Sequence, residues 1–474
     1  MNEGQRTYLA LALLLGVAFL VRVFPGSFEN LVDPDAHFHA RMAEQIITEQ
    51  RVPAWDALSM QGRVYTYPAL LHVALAGLSI FSGLSVFWVI KLFSALYGTL
   101  SVLGVFLVAR RLFNARIALA SALFVSATLL HVLRTDAFTR PDGMALAFIP
   151  FVLLAVLEHK WVLAYLSGIA LVLLHPLSTI HILVFLLAWV VLTRVKKWGS
   201  GNTRVPVLGL VLLVFGVWVL WAFSFGLPLE NYASKLSFES SEFARFALLD
   251  FAVFFSVSWV FALAVLVGRN KIPVEQTSKA FLGLWLVVCL AFAFWGLRLG
   301  LYLSLPLSIL AGLGLVHAFE RVRPYYKAFV GVCAVLFLVT LIAGLSARGP
   351  YQSLGEGRAM EWVKENTPFN ASIFSAWDRG HQIAYFTRRP VVIDGYFEFA
   401  PQLVERNRSM WEIITTANCS KIALHMNKWD ADYFFVHRSA LKDRQYQNGI
   451  LEARCPSLSS VYASDDARVL EFNG

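Results

Sequence analysis

Charge is scarce in this chain. Only 15% of its 474 residues are Asp, Glu, Lys or Arg, against about a quarter in a typical soluble domain. Cysteine is scarcer still. Cys289, Cys333, Cys419 and Cys455 are too few for a disulfide framework, and none has metal-ligand spacing. Internal repeats and low-complexity segments are absent. So is a small-residue cleavage site after the first apolar stretch, which therefore reads as a retained helix. What fills the chain is hydrophobic: 58% of residues, with 38 Phe, 14 Trp and a mean hydropathy of +0.62. That composition reads as a polytopic membrane protein and excludes a soluble enzyme. The net charge of +9 is then no nucleic-acid footprint, because surplus Lys and Arg in such chains gather in cytoplasmic loops.

A membrane-crossing helix needs about 20 mainly apolar residues. That template predicts eleven spans, at roughly 7–25, 87–109, 116–133, 143–157, 161–175, 177–193, 205–226, 247–268, 279–296, 299–318 and 327–346. A further apolar run, TYPALLHVALAGLSIFSGL at 66–84, is read as an interfacial or re-entrant helix. Were it to cross, the basic loops around Arg110, Arg194 and Arg269 would face outward, against the positive-inside tendency. With the N-terminus cytoplasmic, the loops 26–86, 131–142 and 226–246 share the outer face of the cell membrane. They carry Asp33, Asp35, Asp136, Asp142, Glu239 and Glu242. Residues 1–347 thus form the membrane domain. Residues 348–474 read as a small extracytoplasmic α/β domain, with a helix near 355–365 and strands at RPVVIDG, DADYFFVH and ARVLEF. In that compartment Cys419 and Cys455 could pair.

Carboxylates from separate loops at a membrane surface suit a hard divalent cation, Mg²⁺ or Mn²⁺. Such an ion neutralises a phosphate or pyrophosphate leaving group. Arg298 opens LRLGLYLSLPLSILAG at a helix end, where a fixed cation is costly unless it meets an anion such as a lipid phosphate. Taken singly, Asp35 and His39 read as solvated loop residues, and the cluster LLHPLSTIH at 173–181 has no assignment.

The order of these motifs resembles the catalytic subunit of oligosaccharyltransferase of the archaeal and bacterial single-subunit type, a C-type (GT-C) polytopic glycosyltransferase. DPDAH at 33–37 is similar to the family's first acidic motif, DPYYH. HVLRTDAFTRPDGMALAF at 131–148 looks like the second, and SFESSEF at 237–243 like its S/T-x-x-E loop. LRLGLYLSLPLSILAG resembles the helix whose arginine faces the lipid pyrophosphate. SAWDRGHQIAYFTRRPVV at 375–392 looks like the WWDYG block.

The resemblance implies a GT-C fold of about eleven spans plus an outer interfacial helix. It implies transfer of a glycan from a polyprenyl or dolichyl (pyro)phosphate to asparagine in Asn-x-Ser/Thr. Asp33, Asp142 and Glu242 would be metal ligands, with Asp33 and Glu242 also engaging the acceptor nitrogen. His37 would support the acidic loop, Arg298 hold the donor phosphate, and Trp377 and Asp378 read the acceptor Ser or Thr. The expected partners are a lipid-linked glycan, a protein or peptide acceptor and membrane lipid, with no accessory subunit. Two departures stand out. Met144 occupies the place of a second acid or histidine, and AWDRG replaces WWDYG. They leave room for an alternative: the same donor with a lipid, glycan or hydroxyl acceptor. A transporter, the reading from another class, predicts charges at mid-depth; here Arg22 and Lys91 are the clear exceptions to acids gathered in loops.

Overall fold

The computed structural model describes residues 2–23, 33–136, 140–197, 201–224, 248–255, 257–267, 275–295, 297–321, 335, 338, 339, 342, 352–397, 400–437 and 455–474. Helices dominate the first two thirds: α1 (Glu3–Val23), α2 (Pro34–Glu49), α3 (Leu70–Ser82), α4 (Val86–Leu112), α5 (Ala115–Ala127), α6 (Leu129–Thr135) and α7 (Pro141–Leu157). There follow α8 (Trp161–Leu174), α9 (Pro176–Val195), α10 (Gly201–Ser224), α11 (Leu248–Phe255), α12 (Ser258–Val267), α13 (Gln276–Trp295) and α14 (Ser304–Arg321). A 3₁₀ turn, Leu297–Leu303, leads into α14. Among the described residues six helices are long and apolar enough to cross a membrane, or seven if the bent pair α5 and α6 is one span. The expected span at 327–346 lies almost wholly outside the described residues.

Three of the expected spans differ from a simple rod or from full length. Between α5 and α6 the axis turns by 66°. Ser126 and Thr128 explain this locally: their hydroxyls donate back to the carbonyls of Leu123 and Phe124, at 2.7 and 2.9 Å, which loosens the helical ladder. The span expected at 247–268 is divided into α11 and α12. With only 14 residues, α8 is about 21 Å long at 1.5 Å per residue. The run at 66–84 gives α3, whose 13 residues reach about 20 Å, short of a hydrocarbon core about 30 Å thick.

The main apolar core runs through α1, α4, α5, α7–α10, α13 and α14. A smaller cluster ties α2 and α3 to α4 and α7, and Met144 belongs to it. Gly143 allows α6 and α7 to meet, since a Cβ there would stand 2.2 Å from the Arg134 carbonyl oxygen.

The C-terminal unit contains α15 (Leu354–Asn366), β3 (Ile373–Ser375), α16 (Trp377–Thr387), α17 (Leu403–Thr415), α18 (Cys419–Lys428), β4 (Tyr433–His437), β5 (Leu458–Ala463) and β6 (Ala467–Phe472). A short hairpin, β1 (Trp55–Asp56) with β2 (Arg63–Val64), precedes them in the chain. Ser353 and Glu356 form a capping box that starts α15. The sheet order is β3-β4-β6-β5, parallel at β3–β4 and antiparallel elsewhere. Cys419 and Cys455 form a disulfide with Cα atoms 5.2 Å apart.

RPVVIDG is not the strand its composition predicts. Val391 makes one isolated bridge to Ile373, while its remaining backbone bonds go to the loop after β1. The Val391 N–H donates to Leu58 at 2.9 Å, and the Gln61 N–H donates to Val391 at 2.9 Å. This stitch, together with Tyr385 donating to Glu44 at 3.2 Å and an Arg388–Glu44 ion pair, seats the C-terminal unit on one end of the bundle.

Candidate active site

At the end of the bundle covered by the C-terminal unit, α2 and α7 each begin with proline after an extended residue. This pattern suits a helix start, because proline has no N–H to leave unsatisfied. Asp33 caps α2, its carboxylate accepting the Asp35 N–H at 2.7 Å. Asp142 sits in the first turn of α7 and accepts the Gly143 N–H at 2.9 Å. Negative charge is favoured at both places by the helix dipole. The two acids are 2% and 1% exposed, so neither is a casual surface group.

Arginines meet both. Arg140, the residue before α7, pairs with Asp33 and stands 3.8 Å from Asp35. Arg134, near the end of α6, lies 3.8 Å from Asp142. Burial pushes the Asp33 carboxyl up to about 6, against the pull of Arg140. Asp136, 1% exposed, follows α6 and acts electrostatically on Tyr97 together with Asp142. The 3₁₀ turn Leu297–Leu303 packs against α6 at this same end.

His37 donates from Nδ1 to the Asp33 carbonyl at 2.9 Å. Burial lowers its imidazole to about 4, so the ring is neutral. Its centroid lies 5.5 Å from that of Tyr385 and 5.3 Å from that of Phe386, both on α16. Trp377 and Asp378 open α16, which packs along α2. The indole rests edge-on against Phe397 at 5.2 Å. Asp378 stands 3.4 Å from Arg379, whose guanidinium also reaches buried Glu356 at 3.5 Å.

The geometry therefore brings Asp33, Asp142, His37 and the first turn of α16 to one end of the bundle. Glu242 and Glu239 lie outside the described residues. Of Arg298 the backbone is described, in the 3₁₀ turn; its side chain is outside the described residues. Met144 is 7% exposed and packs in the apolar cluster, so it does not stand in for the missing acid. His39 corrects the solvated-loop reading: it is 2% exposed, and its Nδ1 meets His72 Nε2 at 2.7 Å. His72 in turn bonds Tyr65. The arginine partners were the residues the sequence reading missed, although the alternation RTDAFTRPD advertises them.

Among the described residues no three His, Cys, Asp or Glu side chains converge to hold a metal ion. The donors present still fit one: Asp33 and Asp142 are buried, oxygen-only and carried by separate helices, which suits a hard cation completed from elsewhere.

The model of a family of unknown function (DUF6541) matches residues 5–313, more than half of the chain. The chain belongs to this family. Its DUF6541 region covers α1 through most of α14, including both acids and the 3₁₀ turn.

Solved structures show the fold. The oligosaccharyltransferase AglB of Archaeoglobus fulgidus, in complex with an inhibitory peptide and a dolichol-phosphate, superposes with a TM-score of 0.77 at 14% identity, over 94% of this chain and 71% of that one. A complex of that oligosaccharyltransferase with Zn and sulfate gives 0.72 at 15% identity, over 91% and 68%. ArnT of Cupriavidus metallidurans bound to undecaprenyl phosphate gives 0.66 at 14% identity, over 99% and 98%. This DUF6541 chain is thus a multi-pass membrane protein with the GT-C fold, completed by a small sheet-containing unit. In sequence, a Dolichyl-phosphooligosaccharide-protein glycotransferase 2 of Pyrococcus horikoshii is 33% identical over 101 residues. That match spans 19% of this chain and 13% of the relative's length.

Proposed function

We propose that this protein is a membrane glycosyltransferase that moves a glycan from a polyprenyl or dolichyl (pyro)phosphate to the asparagine of Asn-x-Ser/Thr. One observation carries the reading. Two buried aspartates from the starts of different helices lie at the bundle end that also holds the turn bearing Arg298.

Asp33, Asp142 and Glu242 would hold Mg²⁺ or Mn²⁺. The cation, when bound, neutralises charge on the departing phosphate. Arg298 binds the lipid (pyro)phosphate. Asp33 and Glu242 engage the acceptor amide, so that its nitrogen attacks the anomeric carbon as the carbon–oxygen bond to phosphate breaks. The amide proton passes to a carboxylate. Trp377 and Asp378 hold the acceptor hydroxyl two residues on, and His37 fixes the turn bearing Asp33. In this reading residues 1–347 are the membrane domain, the N-terminus is cytoplasmic, and residues 348–474 lie outside the cell membrane.

Purified protein with Mn²⁺, a lipid-linked glycan and a fluorescent Asn-x-Thr peptide tests this. The expected result is a mobility shift that Asp33→Ala and Glu242→Ala abolish. AWDRG in place of WWDYG favours a second reading, in which the donor is kept and the acceptor is a lipid, glycan or hydroxyl. Release of lipid phosphate with such an acceptor, and an unmodified peptide, selects it.

A further inference from the structure

The cluster LLHPLSTIH takes no part in the reaction just described, yet its polar groups are assembled with care. His175 caps α9, its Nδ1 accepting the Ser178 N–H at 3.3 Å. Because that nitrogen is an acceptor, the Ser178 hydroxyl donates to it, at 2.8 Å. The Ser178 oxygen then receives the Tyr302 hydroxyl at 2.6 Å. The Tyr302 ring stacks on His181, with centroids 4.8 Å apart and planes 10° from parallel. His181 Nε2 in turn meets Cys289 Sγ at 3.1 Å. All five residues are buried.

Tyr302 belongs to the 3₁₀ turn Leu297–Leu303, four positions after Arg298. A seven-residue 3₁₀ run exceeds the usual three or four residues and has poorer internal hydrogen bonds than an α-helix. Its register therefore depends on outside anchors. Tyr302 supplies two, a hydroxyl tied to α9 and a ring clamped on α9.

We propose that the His175–Ser178–Tyr302 ladder is a positioning device that fixes the turn bearing Arg298 and so sets the affinity for the phosphate of the lipid carrier. The proposal rests on the reading of Arg298 as the phosphate-holding residue. Tyr302 and Ser178 act through that arginine and need not touch the lipid.

The test is direct binding of a fluorescent polyprenyl monophosphate to the full chain in nanodiscs. It compares the parent with Arg298→Ala, Tyr302→Phe, Ser178→Ala, Ser178→Thr and the double variant Arg298→Ala/Tyr302→Phe. Tyr302→Phe keeps the ring stack and loses the hydroxyl. It is expected to weaken binding about tenfold, with the thermal midpoint and the acceptor KM unchanged. Ser178→Ala should match it, and Ser178→Thr should restore binding. In the Arg298→Ala background the tyrosine change should cost nothing more. Parent-like binding by both Tyr302→Phe and Ser178→Ala, with Arg298→Ala defective, overturns the ladder and leaves the arginine reading intact. A Tyr302→Phe loss that adds in full to that of Arg298→Ala also overturns it. Equal binding by the parent and Arg298→Ala overturns the arginine reading and the ladder together.

Discussion

In the bundle, Asp33 and Asp142 start different helices and each is met by an arginine from another segment. In the C-terminal unit, Trp377 and Asp378 are neighbours on one turn of α16, both half-buried. The first arrangement exists only once α2, α6 and α7 have packed. The second is largely in place as soon as one short helix forms. On the proposed reading, a cation-holding site built by convergence and a pocket for the acceptor hydroxyl built locally respond to different insults. The helices that gather the acids belong to the DUF6541 region, whereas α16 lies beyond it.

Three tests sharpen this contrast, beginning with the strongest. Asp142→Asn is expected to lower transfer by about 10²–10³-fold, whereas Trp377→Phe should raise the acceptor KM about tenfold and leave the donor KM alone. Steady-state kinetics with each substrate varied in turn separate the two. Equal effects on both substrates would erase the division.

The next target is the ion pair that underlies the seam between the two regions. Burial pushes the Asp56 carboxyl up, but Arg41 overrides it and holds the group below its usual range. Both side chains are almost fully buried, at 2% and 3% exposure. Asp56→Asn strands the guanidinium of Arg41, and breaking one side of such a pair costs about 3–5 kcal/mol. The expected readout is a lower thermal midpoint with earlier proteolysis after residue 350. An unchanged midpoint means that the seam does not depend on this pair.

The smallest effect is on pH. Burial lowers His39 to about 3 and pushes His72 well below its ordinary value. The unfolded imidazoles take protons near pH 6.5 while the folded ones refuse them. Stability from these two residues is therefore complete above pH 6.5 and falls as the pH drops towards 3. Thermal scans at pH 7.5 and 4.5 should show the decline, and His39→Gln should reduce it. A flat profile would show that these rings titrate normally in the fold.

Much of this architecture can be read from hydrophobic run length. Residues 87–109 and most of 205–226 become α4 and α10 because each offers a long, mainly apolar stretch. The capping pair Ser353 and Glu356 makes α15 equally legible. What hydropathy does not carry is how a polar group turns back on its own helix, as Thr128 does, or where an apolar segment finds its partners. RPVVIDG has strand composition, yet the loop around Leu58 and Gln61 takes both backbone groups of Val391. The acids were visible as motifs. RTDAFTRPD shows Arg134 and Arg140 beside the acids, but the Arg140–Asp33 pair and the His39–His72 contact join segments distant in the chain, which no local pattern encodes.

The chain also carries Asn-x-Ser sequons at Asn370, Asn407 and Asn418. Asn407 lies inside α17 at 7% exposure, and the Asn418 carboxamide oxygen accepts the N–H groups of Ser420 and Lys421. Asn370 stands open to solvent. A sugar could reach Asn407 only while the nascent polypeptide is still extended, before that helix settles onto its neighbours. Any glycan found there would be a timestamp of cotranslational modification, and one on Asn370 would carry no such date.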